Sequence, residues 1–250
     1  MIQWLSILLL AVVANAEPPQ RVLSLCTTAT DVLCAIGATN QLAGIDEYGR
    51  VVPGTTNVPV IAKGSALSRE EVIARRFDLA FLWWYQDDAA KLLQDVGVPV
   101  VRLRAGRAAE LPATVRLIGQ QTGHETAAAE LADELSAFLK SQTNQPAKPP
   151  RVYLELYGAN ITVGGDSYLN DLITLAGGTN VAADIQRSSV VFSTEQLIAA
   201  KPDVVLFVNG FTKPAIPHAH IVGIDRHWLV AGSRLAEAVA HLRALIHKEN

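Results

Sequence analysis

Two stretches of the chain repeat the same order of polar and apolar positions. Leu67–Phe81 and Phe192–Leu206 each place Ser, one spacer and Glu ahead of an apolar pair and Ala, with an Asp eight positions beyond the Glu. A continuous apolar stretch follows each Asp. This order predicts a short helix capped by its Ser, a sharp turn and a buried strand of a parallel sheet. One copy in each half predicts two similar α/β lobes with a cleft between them.

The remaining pattern alternates between buried strands and amphipathic helices. Predicted strands lie at 21–26, 42–45, 79–83, 98–103, 152–156, 204–208 and 221–224. Predicted helices lie at 28–37, 88–96, 168–176, 195–200 and 234–247. Thr28 is expected to be the N-cap of the first helix, with Asp31 at N3. Alternation of this kind indicates parallel sheets.

A longer amphipathic helix separates the two halves. Its apolar stripe is Ala128, Leu131, Leu135 and Leu139, and it stops in the polar, proline-rich segment 141–150. The helix could begin near Leu111 with a break at Gly123. We therefore expect an N-terminal lobe at 17–122, a single long rigid helix within 123–145 and a C-terminal lobe at 146–250. Each lobe is expected to be Rossmann-like, with the ligand cleft between the lobes.

The first residues predict an export signal. Trp4–Val13 is almost wholly apolar, and Ala14-Asn15-Ala16 has the small residues that signal peptidase reads. Residues 1–16 are therefore expected to be a cleaved signal peptide, which leaves a soluble, monomeric protein in the periplasm. Cys26 and Cys34 are too far apart, on a strand end and the second turn of a helix, for a disulfide. Both are expected to be free thiols.

Composition excludes several classes of function. The 250-residue chain is 50% hydrophobic with a net charge of −3, and its charges are scattered without a basic block. A nucleic-acid groove is therefore not expected. The sequence also has no dinucleotide fingerprint, P-loop, G-x-S-x-G or Cys-His nucleophile spacing. No catalytic residues are predicted, and an extracytoplasmic hydrolase is a weaker interpretation than a binding protein.

Several short motifs, taken together, resemble one family. They are Arg21–Leu25 with Thr28–Leu33, Ala35–Ala38, Leu42–Ile45 leading to Tyr48, both Ser-x-Glu segments, Ala176–Val181, Lys201–Asp203 and Ser233–Leu235. In this order they resemble the periplasmic binding proteins that supply ABC importers of cobalamin, ferric siderophores and haem. The resemblance implies two lobes joined by a long helix that resists wide hinge closure. It also implies a metal chelate as ligand and a permease dimer with its ATPase subunits as partner.

The resemblance gives the repeated acids a role. An exposed acidic residue on each lobe docks onto arginines of the permease in this family, and by motif position these residues are Glu70 and Glu195. The alternative interpretation is that both are first-turn acids favoured by the helix dipole. The duplication favours docking.

Candidate ligand-binding residues follow the predicted strands, where ligands collect in open α/β sheets. Trp83, Trp84 and Tyr85 cannot all point into one core because strand side chains alternate, and flat chelates suit aromatic walls. Thr28, Tyr157, Ser167 and Tyr168 come from other strand ends or helix starts. Tyr48, Trp228 and Arg234 match pocket positions of the family, although Arg234 could equally anchor the last helix. The site prediction is therefore Thr28, Tyr48, Trp83, Trp84, Tyr85, Tyr157, Ser167, Tyr168, Trp228 and Arg234.

The sequence leaves the chelate open. Cobalamin or a ferric siderophore ranks ahead of haem because haem-binding relatives often carry a Tyr before the first Ser-x-Glu, and 62–65 has none. Tyr85, Tyr157, Tyr168 and His218 are the candidate haem ligands. No resident cofactor or protein metal site is predicted, since His218 and His220 alone are too few for bare-metal capture. A ligand sensor on the same scaffold is the other open interpretation.

Overall fold

The computed structural model describes residues 17–104, 106–142, 146–158 and 160–247. The predicted signal peptide, 1–16, lies outside the described residues. No helix in the described ranges is both long and apolar enough to cross a bilayer.

The first lobe contains a parallel sheet of five strands. Its strands are β1 (Val22–Ser24), β2 (Leu42–Asp46), β3 (Val60–Ala62), β4 (Leu79–Trp83) and β5 (Val100–Leu103). Its helices are α1 (Thr27–Ala35), α2 (Arg69–Arg75) and α3 (Asp87–Asp95). The strand order is β3-β2-β1-β4-β5, so the chain reverses its direction of winding between β1 and β4. Ligands bind at such switch points, beyond the carboxyl ends of the strands.

The start of α1 differs from the prediction that Thr28 is its N-cap. Cys26 occupies the N-cap position, with no side-chain cap, and Thr28 lies buried inside the first turn. The Cys26 carbonyl accepts the Thr30 amide at 2.9 Å, because the strand passes into the helix with little intervening loop. The carboxylate of Asp31 turns away from the helix start and accepts the backbone N–H of Ser233 from the second lobe.

Two helices, rather than a continuous one, occupy the middle of the chain. They are α4 (Leu111–Thr122) and α5 (Glu125–Ser141), and Gly123 between them adopts φ +73°. Arg116 pairs with Asp133 across the two helices. A Cβ placed on Gly119 would lie only 2.2 Å from the Cβ of Ala128, so glycine allows the close approach. The predicted break at Gly123 therefore turns the chain back into a helical hairpin.

The helix α5 bridges the lobes. Near its start, the Gln41 side chain of the first lobe donates to the Thr122 carbonyl at 3.0 Å. Just past its end, Arg243 of the second lobe donates to the Gln142 side chain at 3.0 Å. Buried residues of α5, including Ala128 and Leu135, belong to one apolar cluster with residues of both sheets. This shared core supports a stiff connection, because close-packed interiors transmit strain.

The second lobe repeats the architecture with a smaller sheet. Its strands are β6 (Arg151–Glu155), β7 (Ile161–Val163), β8 (Thr179–Asn180), β9 (Ser189–Val191), β10 (Val204–Val208) and β11 (His220–Ile224). Its helices are α6 (Tyr168–Leu175), α7 (Thr194–Ala200) and α8 (Leu235–Ile246). The parallel order is β11-β10-β6-β8, while β7 and β9 form a separate antiparallel pair. The predicted α/β fold with a parallel sheet in each lobe is confirmed.

The sequence repeat is also a structural repeat. Ser68 and Ser193 cap α2 and α7 by accepting the amides of Glu71 and Gln196. Each helix ends in a left-handed residue that precedes the repeated Asp. The two strands that follow, β4 and β10, pair with β1 and β6 in the same parallel sense. The predicted capped helix, turn and buried strand are confirmed in both copies.

The repeated Asp residues anchor the sheets. Asp78 accepts the backbone N–H of Arg21 at 3.0 Å, and Asp203 accepts that of Arg151 at 2.7 Å. Each of these arginines also donates its Nε to the carbonyl of the last residue of the repeated helix, Arg75 in α2 or Ala200 in α7. In each copy the Asp carboxylate therefore gives a hydrogen-bond acceptor to a backbone amide at the start of the neighbouring strand, β1 or β6.

The two cysteines are free, as expected. Cys26 is buried, and burial raises the pKa of its thiol to about 12. Cys34 is partly exposed, and burial of its thiol raises its pKa as well. Neither thiol is therefore an activated nucleophile.

Candidate functional site

The main cleft lies where the carboxyl ends of both sheets meet. It encloses about 400 Å³ and is lined by residues that follow β1, β4, β6 and β11. Seven residues of the predicted site line it: Tyr48, Trp83, Trp84, Tyr85, Tyr157, Ser167 and Tyr168. The rule that placed candidates after strand ends therefore brings residues from both lobes into one cleft.

The aromatic triplet at the end of β4 forms the wall contributed by the first lobe. Trp83 is half-buried, whereas Trp84 and Tyr85 are 53% and 60% exposed. The backbone is held in place because the Trp83 amide donates to the Gln86 side chain at 2.8 Å and the Trp84 amide donates to the Leu103 carbonyl at 2.8 Å. The rings of Trp84 and Tyr85 meet edge to face, 5.7 Å apart. These fixed, exposed rings can stack on a flat ligand.

Tyr48 approaches the cleft from a 3₁₀ turn at Glu47–Val51. The turn begins at Asp46, whose Oδ1 accepts the Gly49 amide at 2.8 Å. Asp46 is buried, and burial raises the pKa of its carboxyl to about 6. A buried, titratable carboxylate therefore holds the segment that presents Tyr48.

The second lobe contributes Tyr157, which follows β6 and packs edge to face on Phe211 with ring centroids 6.4 Å apart. Ser167 is mostly buried, and its hydroxyl caps α6 by accepting the Leu169 amide. Tyr168 is also buried, and its hydroxyl donates to the Val230 carbonyl at 3.4 Å. Ser167 and Tyr168 thus form the buried floor of the cleft, whereas the half-exposed side chain of Tyr157 projects into the cleft.

Burial raises the pKa of two phenols at the cleft. The pKa of Tyr85 rises to about 12, chiefly because the cleft partly screens its phenol from water and secondarily through nearby groups such as Tyr157. Burial also raises the pKa of Tyr168 well above its usual range. Both hydroxyls are therefore neutral at physiological pH.

Three residues of the predicted site lie elsewhere. Thr28 lines a much smaller hollow beside the cleft, and its hydroxyl is buried with no hydrogen-bond partner; its neighbour Thr27 lines the main cleft. Trp228 stacks on His241 with centroids 4.6 Å apart, and Arg234 lies over the Trp228 ring at 5.5 Å. Trp228 therefore packs against α8, and Arg234 precedes that helix, which agrees with the alternative that Arg234 anchors the last helix.

Arg226 is a cleft residue that was not predicted from the sequence. It lies in the 3₁₀ turn Arg226–Leu229 that follows β11 and lines the cleft. Its guanidinium carbon is 5.0 Å from the ring centroid of Tyr157 and 5.8 Å from that of Tyr48, so it contacts rings of both lobes. Arg226 follows the end of β11 just as Tyr157 follows the end of β6, so the same strand-end rule applies to both residues. Other lining residues not predicted are Thr27, Val51, Leu156, Leu169, Ser188, Leu229, Val230 and Ala231.

The repeated acids lie outside the cleft. Glu70 accepts the Ser68 hydroxyl at 2.8 Å, and hydrogen bonding from Ser68 lowers the pKa of Glu70. Hydrogen bonding from Ser193 lowers the pKa of Glu195 in the same way. Both side chains are exposed. The two lobes therefore present matching, fully ionised carboxylates at the starts of α2 and α7.

The described residues include no cluster of three or more His, Cys, Asp or Glu side chains that could hold a metal ion. His218 and His220 are in the loop before β11 and at its first residue, away from the cleft lining. The donors available among the described residues of the cleft are phenols, the hydroxyls of Thr27, Ser167 and Ser188, indole N–H groups and one guanidinium. This set suits a large, mainly apolar ligand with a few polar groups.

Comparison with known proteins agrees with this geometry. The Vitamin B12-binding protein of Pectobacterium carotovorum subsp. carotovorum (strain PC1) is 25% identical over 96% of this chain and 92% of its own length. A periplasmic heme-binding protein from Pseudomonas aeruginosa has the same fold, with a TM-score of 0.80 at 22% identity over 92% of this chain and 94% of its own. The periplasmic Vitamin B12 binding protein BtuF of Vibrio cholerae superposes with a TM-score of 0.75 at 19% identity over 92% and 97%. A family model described as periplasmic binding protein matches residues 22–218. The chain therefore belongs to the periplasmic binding protein family.

Proposed function

We propose that this protein captures a metal chelate in the cleft between its lobes and delivers it to the permease of an ABC importer. Cobalamin or a ferric siderophore is the favoured cargo. The observation that carries the proposal is the aromatic lining, with Tyr48, Trp83, Trp84, Tyr85 and Tyr157 facing one cleft from both lobes. Flat macrocycles and aromatic chelates bind such walls by stacking and apolar contact.

The choice of cobalamin is supported by the names of similar proteins. The relative from Pectobacterium is named a vitamin B12-binding protein, and a relative from Vibrio parahaemolyticus, 25% identical over 85% of this chain, has the same name. A corrin ring is broad and flat, with amide side chains at its rim. Such a ring could stack on Trp84, with its amides hydrogen-bonded to hydroxyl-bearing residues of the lining such as Thr27 and Ser188.

Haem is the second candidate because two tyrosines stand in the cleft. Tyr85 and Tyr157 are both about half exposed or more, so either hydroxyl can approach a ligand from the cleft. Haem iron can take a tyrosine as axial ligand. The cleft partly screens the Tyr85 phenol from water and raises its pKa, which disfavours a free phenolate there. Coordination would therefore need the iron itself to displace the phenolic proton.

Delivery is proposed to depend on Glu70 and Glu195. Each residue lies in the first turn of a helix that leads into the strand beside the central strand of its sheet. Since both sheets turn their carboxyl edges toward the same cleft, both helix starts lie at that side of the molecule. A permease built from two matching subunits would offer one cationic site to each carboxylate.

The proposed setting follows from this role. The signal peptide 1–16 would be removed on export, and the mature protein would work as a monomeric carrier in the periplasm without catalysis of its own. A ligand sensor on the same scaffold would bind the same chelates but would not need a permease. Uptake measured in cells that lack this protein therefore separates the two roles, because a sensor can be removed without loss of transport.

Titration of the purified protein tests the cargo. Cyanocobalamin, hemin and several ferric siderophores are added while tryptophan fluorescence is followed, because Trp83 and Trp84 line the cleft. Saturable quenching by cyanocobalamin or a siderophore supports the ranking. A Soret shift with hemin that disappears in Tyr85→Phe or Tyr157→Phe would instead favour haem, and no response to any chelate would contradict the proposed cargo class.

A further inference from the structure

The cleft lining contains an isolated positive charge. Of the described residues that line the main cleft, only Arg226 carries a formal charge; the others are aromatic, aliphatic or hydroxyl-bearing. Arg226 is half-buried. A half-buried positive charge is stabilised by a negatively charged partner. Without such a partner in the protein, the charge favours a ligand that carries one.

No carboxylate among the described residues forms a salt bridge with Arg226. The salt bridges among the described residues are Glu71–Arg75, Asp87–Arg102, Asp166–Arg104, Asp171–Arg107 and Asp133–Arg116, and none includes Arg226. The adjacent Asp225 instead accepts the Asn209 side-chain amide at 2.6 Å. The other arginine that stacks on an aromatic residue of the cleft, Arg104 over Trp84, is neutralised by Asp166 at 2.7 Å.

What surrounds Arg226 is a set of aromatic rings. Its guanidinium carbon lies 5.0 Å from the Tyr157 centroid, 5.7 Å from that of Phe211 and 5.8 Å from that of Tyr48. Ring faces attract the cation and fix the plane of the guanidinium, but they accept none of its hydrogen bonds well. A guanidinium held this way keeps a planar fork of N–H donors, which matches a carboxylate in a two-point contact.

We propose that Arg226 is a specificity-determining residue that selects chelates with an acidic group beside their flat face. The carboxylate would pair with Arg226 while the ring system stacks on the aromatic wall. This inference rests on the proposed function and refines it. Within the proposed cargo class it favours a chelate with a carboxylate, such as an acidic siderophore, over cobalamin with its amide rim, because a neutral chelate would leave the guanidinium without a counter-charge. It also predicts that ligand binding replaces a cation–aromatic contact between the lobes with an ion pair to the cargo.

Pairs of chelates that differ only in charge test the inference. Hemin is compared with its dimethyl ester, and cyanocobalamin with a derivative in which one amide is hydrolysed to a carboxylate. One of the two ring systems is expected to bind the unaltered protein. For that ring system, the acidic chelate should bind about 10-fold to 100-fold more tightly than its neutral counterpart. Its affinity should also fall as salt is raised.

Variants separate charge recognition from packing. Arg226→Gln should remove the preference for the acidic member and leave the affinity for the neutral member within about threefold, whereas Arg226→Lys should retain part of the preference. Arg116→Gln, which removes a charge from the outer helical hairpin, is the matched control and should preserve the preference.

Equal weakening of both members by Arg226→Gln, or equal affinity of both members for the unaltered protein, would overturn the role of Arg226 while leaving chelate binding intact. If no chelate binds, the proposed function fails and the inference fails with it.

Discussion

Arg107 Nε lies 2.8 Å from Oδ2 of Asp171 and 3.0 Å from its Oδ1, which ties the segment after β5 to the first turn of α6. The same carboxylate accepts the Ala108 amide at 2.8 Å. Asp171 is therefore a shared acceptor for a side chain and a backbone group from the opposite lobe. Its side chain is only 14% exposed, so these bonds are partly shielded from water.

We expect Asp171→Ala to lower the free energy of unfolding by about 1–3 kcal/mol, because it leaves the Ala108 amide and a charged guanidinium without an acceptor. Asp171→Asn should lower it by less, because the amide oxygen can still accept one hydrogen bond. Urea denaturation of both variants measures the effect.

The Arg116–Asp133 pair of the helical hairpin provides the control for that prediction. Its side chains are 45% and 75% exposed, so Asp133→Ala should change stability by about 1 kcal/mol or less. If Asp133→Ala and Asp171→Ala lowered the free energy of unfolding equally, the contact between the lobes would contribute no more to stability than an exposed ion pair does.

Local patterns predicted the fold well wherever one segment determines its own structure. Ser68 and Ser193 cap their helices as predicted because capping involves a side chain and an amide only a few residues away. The prediction for the start of α1 was wrong because a residue there bonds to a distant part of the chain. Asp31 was expected to serve its own helix, but its partner is the backbone of Ser233, far away in sequence.

The same distinction applies to the cleft. Trp84 and Tyr157 could be predicted because they follow strands, and the ends of parallel strands share one edge. Trp228 could not be placed from sequence, because its packing against His241 depends on how the turn after β11 meets α8. The short pair β7 and β9 also escaped prediction, because its strands have three residues each and depend on each other for hydrogen bonds.

The aromatic wall gives the next prediction. Replacing Tyr48 or Trp84 with Ala should weaken binding of the chelate by about 1–3 kcal/mol each, because each ring buries apolar area against a flat ligand. Trp84→Phe should keep most of the affinity. Isothermal titration of each variant with the chelate that binds the unaltered protein measures the change.

Tryptophan outside the cleft is the matched control for the wall. Trp228 stacks on His241, so Trp228→Phe should leave the affinity almost unchanged. If Trp228→Phe weakened binding as much as Trp84→Ala does, the aromatic wall would not be the main contact surface.

The proposed docking acids predict a separation of binding from transport. Glu70→Ala with Glu195→Ala should abolish ligand-stimulated uptake in cells and leave binding to the isolated protein unchanged, since both carboxylates are exposed and lie outside the cleft lining. Each single variant should retain part of the uptake, because the other lobe still docks.

The double variant Asp88→Ala with Glu237→Ala is the control for docking. Each of these exposed acids also lies in the first turn of a helix, one in each lobe. Normal uptake in this control, together with lost uptake in the Glu70 and Glu195 variant, would show that docking depends on where Glu70 and Glu195 lie and not only on the number of negative charges. Reduced ligand binding in the Glu70 and Glu195 variant would place these residues in the fold or the pocket instead.

Asp46 predicts a pH dependence of stability. Burial raises the pKa of its carboxyl to about 6 in the folded protein, above the value of about 3.9 for an unfolded chain. The folded state therefore binds this proton more tightly, and the Asp46 contribution to the free energy of unfolding falls as pH rises from about 4 to about 6. The loss should be on the order of 2–3 kcal/mol and stay constant at higher pH.

Asp46→Asn isolates this contribution. The Asn oxygen can still accept the Gly49 amide and hold the turn that carries Tyr48, but it cannot ionise. Unfolding by urea at pH 4.5 and pH 7.5 should show that Asp46→Asn is more stable than the unaltered protein at the higher pH, with a smaller difference at the lower pH. Asp88→Asn, at an exposed site, should follow the unaltered protein at both values. If the free energy of unfolding depended on pH in the same way for Asp46→Asn and the unaltered protein, the Asp46 carboxylate would be better solvated than its burial implies. The turn that carries Tyr48 would then be insensitive to acid.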